Sequence, residues 1–148
     1  MIEPIRLAFD VDCPVAHAFD VWTGRIGQWW PLDHTVSAEP GVTVILEGRT
    51  GGRIFERRVG GLEHDWGEVT IWEPPNRLAY TWHLKRDRSD ATVVDIRFVP
   101  RSEALTRIEI EHRDWERLGA GAESWREQND RGWASLLPHY LAAVLSRG

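Results

Sequence analysis

Trp72-Glu73-Pro74-Pro75-Asn76-Arg77-Leu78-Ala79-Tyr80-Thr81-Trp82 is the stretch on which the fold turns. Pro74-Pro75-Asn76 breaks a β-patterned run, Asp65–Glu73, and a second run follows at once. In Arg77–Leu84 the residues Leu78, Tyr80, Trp82 and Leu84 alternate with their neighbours and share one face. A connection this short joins antiparallel neighbours, because a parallel crossover needs a dozen residues or more. The same grammar extends in both directions. Upstream, Val42–Glu47 and Gly52–Arg58 flank a turn at Gly48–Gly52, and Gly60-Gly61 marks the next turn. Downstream, the charged turn Lys85–Asp90 precedes Ala91–Val99, where Val94, Ile96 and Phe98 share a face. Pro100–Ala104 then turns the chain into Leu105–His112, with Ile108 and Ile110 on one side.

The two ends differ from this middle. Ile5, Leu7, Phe9 and Val11 alternate with polar or small residues and predict a first strand. Asp12 is placed to cap a short helix with Pro14 in its first turn. Val15, Ala18, Phe19 and Trp22 form its apolar face, and Gly24 ends it. Arg25–Trp29 predicts a second short helix, stopped at Pro31. From Ala122 to Ser146 the spacing of Trp125, Asn129, Trp133, Leu136, Tyr140 and Val144 is helical. The expected architecture is therefore α+β, in the order β-α-α-β6-α. A curved antiparallel sheet of about seven strands is crossed by a long C-terminal helix. With no linker, repeat or low-complexity stretch, residues 1–148 are expected to be one domain.

Composition narrows the function classes. The 148 residues carry a net charge of −5, which argues against a nucleic-acid partner, since phosphate binding needs a basic surface. Local basic groups, Arg53, Arg57 and Arg58 and then Lys85, Arg86 and Arg88, are broken by acids or alternate along strands. The single Cys13 excludes an internal disulfide and any cysteine-based metal site. His17, His34, His64, His83 and His139 show no metal-ligand spacing, so neither a metal nor a cofactor is implied. The N-terminus lacks a signal-peptide pattern and no apolar run reaches membrane-spanning length, so a cytoplasmic protein is expected.

The residue that stands out is tryptophan: nine, against two tyrosines and four phenylalanines. Indole is large and flat with one N–H donor, which suits a surface that is apolar but not wholly dry. By parity Trp82 faces the helix with Leu78 and Tyr80, whereas Trp66 and Trp72 share a mixed face with Glu68 and Thr70. Trp29 and Trp30 precede the second strand, where one can point inward and one can cap an opening. Trp115 falls in the loop before the helix, as a lid or an anchor. Gly132 interrupts a helix, and such a glycine has either a packing reason or a ligand to make room for. His112 shares the parity of Ile108 and Ile110 and is expected on the inner face, where it could orient a bound group or act as a base. Glu68 is the best inward carboxylate by parity, followed by Glu56 and Glu47, with Arg53, Arg58 and Arg97 as possible partners. No serine-nucleophile motif or phosphate-binding glycine loop is present.

The strings Trp22-Thr23, Trp29-Trp30-Pro31, Gly51-Gly52-Arg53, Trp66-Gly67-Glu68-Val69 and Trp72 to Leu78, with Tyr80-Thr81-Trp82, Glu111-His112 and Gly132-Trp133, occur in a telling order. In that order the chain resembles the helix-grip superfamily, also called START or SRPBCC, from Ile5 to the final helix. The branch it resembles is that of bacterial proteins similar to the activator of the heat-shock-protein-90 ATPase. The resemblance implies a cavity for apolar small molecules, lipid-like or polyketide-like, between sheet and long helix. Some members of the superfamily are cyclases, so an enzyme of the cyclase or dehydratase type in the same pocket is an alternative. A co-chaperone-like module acting on a chaperone ATPase is a further one. The eukaryotic activator, however, stimulates the chaperone through a separate N-terminal domain that this length leaves no room for.

The expected lining is Trp29, Trp30, Trp66, Trp72, Trp82 and Trp133 for the wall and Tyr80 beside them. Glu68, His112, Asn129 and Tyr140 would be polar groups that orient the ligand, with His112 and Glu68 as the catalytic candidates. The expected partner is a small hydrophobic ligand bound by a monomer or homodimer, without nucleic acid or membrane insertion.

Overall fold

The structure is a computed structural model that describes residues 2–83 and 90–145. Leu84, most of the Lys85–Asp90 turn and the end of the final helix at Ser146 lie outside the described residues. Seven strands form one antiparallel sheet in the order β1-β7-β6-β5-β4-β3-β2. They are β1 (Ile5–Val11), β2 (Thr43–Leu46), β3 (Arg53–Arg57), β4 (Glu63–Glu73), β5 (Arg77–Trp82), β6 (Thr92–Ser102) and β7 (Leu105–Arg113). The meander read from the short turns is thus present, and β1 closes onto β7. Pro100 does not end β6: it pairs with Thr106, and the turn is tighter than the proline alone suggests.

Apolar alternation builds the inner face row by row. Ile5, His112, Val94, Tyr80 and Val69 stand in register across five strands, as do Leu7, Ile110, Ile96, Leu78 and Trp72. On β4 two irregularities reset the parity. Trp66 is an extra residue between the Ile54–Gly67 and Phe55–Asp65 pairs, and Thr70 is extra between the Val69–Tyr80 and Ile71–Ala79 pairs. A bulge adds one residue to one strand and so flips the face of everything beyond it. Trp66, Val69 and Trp72 therefore all reach the inner side at spacings of three. The strict alternation that placed Glu68 and Thr70 beside the two indoles is corrected: Glu68 stands opposite Arg53 on the outer face. Gly67 makes the first bulge possible, since a Cβ there would lie 1.8 Å from the Thr81 carbonyl oxygen.

Helix α1 (Val15–Trp22) and the one-turn α2 (Ile26–Trp29) cross one end of the inner face, and α3 (Ala122–Leu145) runs along it. Asp12 does not cap α1; the N-cap position is Pro14, with no side-chain hydrogen bond. The buried stripe of α3, Trp133, Leu136, Tyr140 and Val144, meets the sheet and α1. Tyr140 sits in an aromatic knot with Trp22, Trp29 and Phe9, at centroid distances of 4.8, 5.3 and 6.5 Å, and its hydroxyl donates to the Ala18 carbonyl at 2.8 Å. His17 donates to the Val144 carbonyl at 2.9 Å and ties α1 to the far end of α3. A long helix held in a curled antiparallel sheet is the helix-grip arrangement expected from the sequence.

The outer face is charged instead. Asp95, nearly buried, takes both Arg77 nitrogens (3.1 and 2.8 Å) and Arg113 (3.2 Å). Burial alone would raise its carboxyl pKa, but the two guanidiniums hold it below the ordinary range. Among the described residues no helix is long and apolar enough to cross a membrane.

Candidate ligand-binding cleft

The space between α3 and the sheet is not filled evenly. Near Tyr140 it is solid. Towards the N-terminal half of α3 it opens into a cleft with two compartments. The outer one, about 240 Å³, has Trp82, Trp115, Leu118 and Trp125 as apolar lining and Asp33, His34, Asp90, Thr92, Gln128 and Asn129 as polar edge. The inner one, about 60 Å³, is bounded by Trp30, Tyr80, Trp82, Trp133 and Leu136. His34, Trp82, Asn129 and Gly132 belong to both. Larger depressions exist elsewhere, one of about 360 Å³ over the charged outer sheet and one of about 530 Å³ around Cys13 and His17. Neither has a tryptophan, tyrosine or phenylalanine among its lining residues.

The indoles divide by what holds them. Trp29 donates to the Val21 carbonyl at 2.7 Å and belongs to the core under α1. Trp72 packs edge-on against Phe19 at 5.1 Å, away from the cleft. Trp22 is buried without a hydrogen-bond partner for its N–H and faces the Tyr80 phenol. Trp30 donates to the His34 carbonyl at 3.0 Å and leans on both Trp66 and Trp82, 5.2 and 5.8 Å away. Trp30, Trp82 and Trp133 supply most of the inner wall, and Trp66 stands wholly buried behind them.

Two buried polar residues fix that wall. His112 is fully buried, and its hydrogen bonds run in one direction. Trp133 Nε1 donates to His112 Nδ1 at 3.1 Å, which requires Nδ1 to be bare. Nε2 therefore carries the proton and donates to Thr92 Oγ1 at 2.7 Å, and Thr92 donates onward to the Trp82 carbonyl at 3.2 Å. Trp115 donates to the His112 carbonyl at 2.9 Å, which makes Trp115 an anchor rather than a lid. A second proton on the ring would set N–H against the Trp133 N–H. Burial pushes the His112 pKa down to about 3. His112 reached the inner face as expected, but both nitrogens are committed, so it is placed to orient indoles rather than to take a proton from a ligand.

Glu56 is the inward carboxylate. It is fully buried and accepts from Val36 N (2.5 Å), Ser37 N (2.9 Å), Ser37 Oγ (2.7 Å) and Trp66 Nε1 (2.8 Å). Burial raises its pKa, but these donors outweigh burial and hold it below the ordinary value. No arginine pairs with it among the described residues. Arg53 goes to Glu63 and Asp65, and Arg58 to Glu39. Four donors do what a cation was expected to do. Glu68 and His112 lie on opposite faces of the sheet and do not converge.

The model of activator of Hsp90 ATPase homolog 1-like proteins matches residues 12–146. The chain belongs to this family. No curated protein matches it. Among solved structures, the anthrahydroquino-γ-pyrone synthase Txn09, determined as a complex, is 30% identical, with 96% of this chain and 97% of that one covered at a TM-score of 0.66. The self-sacrificing resistance protein CalC from Micromonospora echinospora is 24% identical over 96% and 94% of the two chains, with a TM-score of 0.72. MLL2253 from Mesorhizobium loti is 16% identical over 96% of each, with a TM-score of 0.70. The latter two show the common fold alone.

Within this family member, Trp30, Tyr80, Trp82, Asn129 and Trp133 meet at one cleft, as a common lining requires. Trp29, Trp72 and Tyr140 are packed elsewhere. His34, which in the sequence showed only the absence of metal-ligand spacing, lines the cleft; His64 stands opposite Glu56 on β4. Asp33, Asp90, Thr92, Gln128 and Leu118 gave no functional signal in the sequence. Each belongs to a different element, and only the fold gathers them.

Proposed function

We propose that this protein binds an apolar or aromatic small molecule, lipid-like or polyketide-like, in the cleft beneath the N-terminal half of α3, and does so in the cytoplasm. The observation that carries the reading is the division among the indoles. Trp22, Trp29 and Trp66 are consumed by the core, while Trp30, Trp82 and Trp133 surround open space edged by polar groups. Flat apolar walls with few, placed polar groups are what a ligand pocket needs. Replacing Trp82 with alanine removes a wall from both compartments without removing a fully buried core residue. Equilibrium titration of intrinsic fluorescence with hydroxyanthraquinones and fatty acids is the test. The wild-type protein should show saturable quenching, and Trp82→Ala should weaken it by about tenfold or more, the scale of an aromatic anchor. Equal affinity in the variant, or no response to any ligand, would refute the proposal.

A second reading is favoured by the 30% identical relative, whose name is that of a synthase. On this reading the ligand is also turned over, as a cyclase would do, with acid and base drawn from the cleft mouth. Asp33 and His34 stand there, His34 within 3.3 Å of Ser135 Oγ. Loss of turnover in His34→Gln with binding retained would favour it; a product-free incubation with every bound ligand would count against it.

A further inference from the structure

Gly132 lies in the middle of α3, where glycine weakens a helix relative to alanine. Its backbone does not need the freedom: it is not among the residues of positive φ. Nor does a neighbour press on it. A Cβ built at this position would meet only His34 Cε1, at 3.8 Å, an ordinary van der Waals contact. Close helix–strand approach, the usual packing reason for a helical glycine, is therefore absent. What the missing side chain leaves is a methyl-sized gap against His34, at the junction where the outer compartment passes into the inner one.

We infer that Gly132 and His34 form the aperture of the inner compartment, and that Gly132 sets which ligands pass it. The two compartments differ in chemistry. Beyond the aperture the walls are Trp30, Tyr80, Trp133 and Leu136. Before it stand Asp33 and Gln128, while Asn129 borders both compartments. The ligand is accordingly two-ended: an apolar end passes Gly132, and hydrogen-bonding substituents remain at the mouth. A molecule polar at both ends would set one polar end against Trp30, Trp133 and Leu136, which offer it few partners, and that is unfavourable. This inference rests on the binding reading above and adds to it the ligand's polarity and the residue that selects it.

The test uses the full chain and two hydroxyanthraquinone isomers, one hydroxylated on one terminal ring and one on both. Wild type should bind the first at least about tenfold more tightly, the scale of one unsatisfied buried polar group. Gly132→Ala should raise the thermal midpoint by roughly 2–4 °C through helix propensity while weakening the one-ended isomer about tenfold. Gly132→Leu should abolish binding. A stabilised Gly132→Ala variant that binds like wild type would overturn the aperture. If Trp82→Ala loses the ligand while both Gly132 variants keep it, the cleft stands and the aperture falls. If wild type binds neither isomer, nor any other ligand, both fall.

Discussion

His112→Ala is expected to destabilise the protein by about 3–5 kcal/mol, through the cavity and the two hydrogen-bonding groups it strands. The imidazole is fully buried, and its loss leaves the Trp133 N–H without its acceptor and Thr92 without its donor. Chemical denaturation measures the loss, and a cost below about 1 kcal/mol would mean that the relay does not hold the wall. His112→Asn, whose side-chain oxygen can sit near the place of Nδ1, should retain part of the stability. The same residue sets a pH dependence. Its ordinary pKa of 6.5 applies in the unfolded chain, and burial lowers it to about 3 in the folded protein. Below the unfolded value the unfolded chain takes up a proton that the folded protein refuses. The contribution is therefore fully present above pH 6.5 and is lost as the pH falls towards 3, by at most about 1.4 kcal/mol per pH unit. Between pH 6.5 and 5 this slope should vanish in His112→Asn. At lower pH Glu56 and Asp95, whose folded pKa values are depressed, add a slope of the same sign as they protonate.

Glu56→Ala is expected to cost about 3–4 kcal/mol, since it strands buried donors rather than removing a matched set. Glu56 binds the 36–37 segment, which follows the cleft-lining turn, and the Trp66 indole behind the inner wall. The isosteric Glu56→Gln is the sharper probe. Its amide must turn N–H groups towards donors, so about 2–3 kcal/mol should be lost at nearly constant volume. Because Trp66 touches Trp30 and Trp82, 5.2 and 5.8 Å away, the fluorescence of the folded variant should shift as well. Urea titration followed by emission and by circular dichroism reads both effects. A neutral substitution would show that the four donors reach water in solution.

The strand order, the long helix and the inward face of β7 were legible because each follows from local chemistry: alternation, prolyl breaks and helical spacing. His112 could be placed by parity since β7 is regular where it stands. Glu68 could not, because Trp66 and Thr70 each insert one residue into β4, and a bulge leaves almost no trace in the sequence beyond Gly67. The role of Glu56 was hidden for a different reason. Two of its four donors are the Val36 and Ser37 backbone N–H groups, some twenty residues away, and a sequence does not show which backbone groups a carboxylate will meet. Trp29 and Trp30 are adjacent and chemically alike, yet one is core and the other wall. The turn that separates them is decided by Pro31 and by the Trp30 bond to the His34 carbonyl.

Nine indole N–H groups give nine reporters distributed between core and cleft. The most direct test of the central claim is a ¹H–¹⁵N spectrum of the indole region, titrated with the one-ended hydroxyanthraquinone. The Trp30, Trp82 and Trp133 resonances should move together and saturate with one affinity, while Trp29 and Trp72 stay fixed. No movement at saturating ligand, or movement centred on Trp72, would contradict the cleft as the binding site.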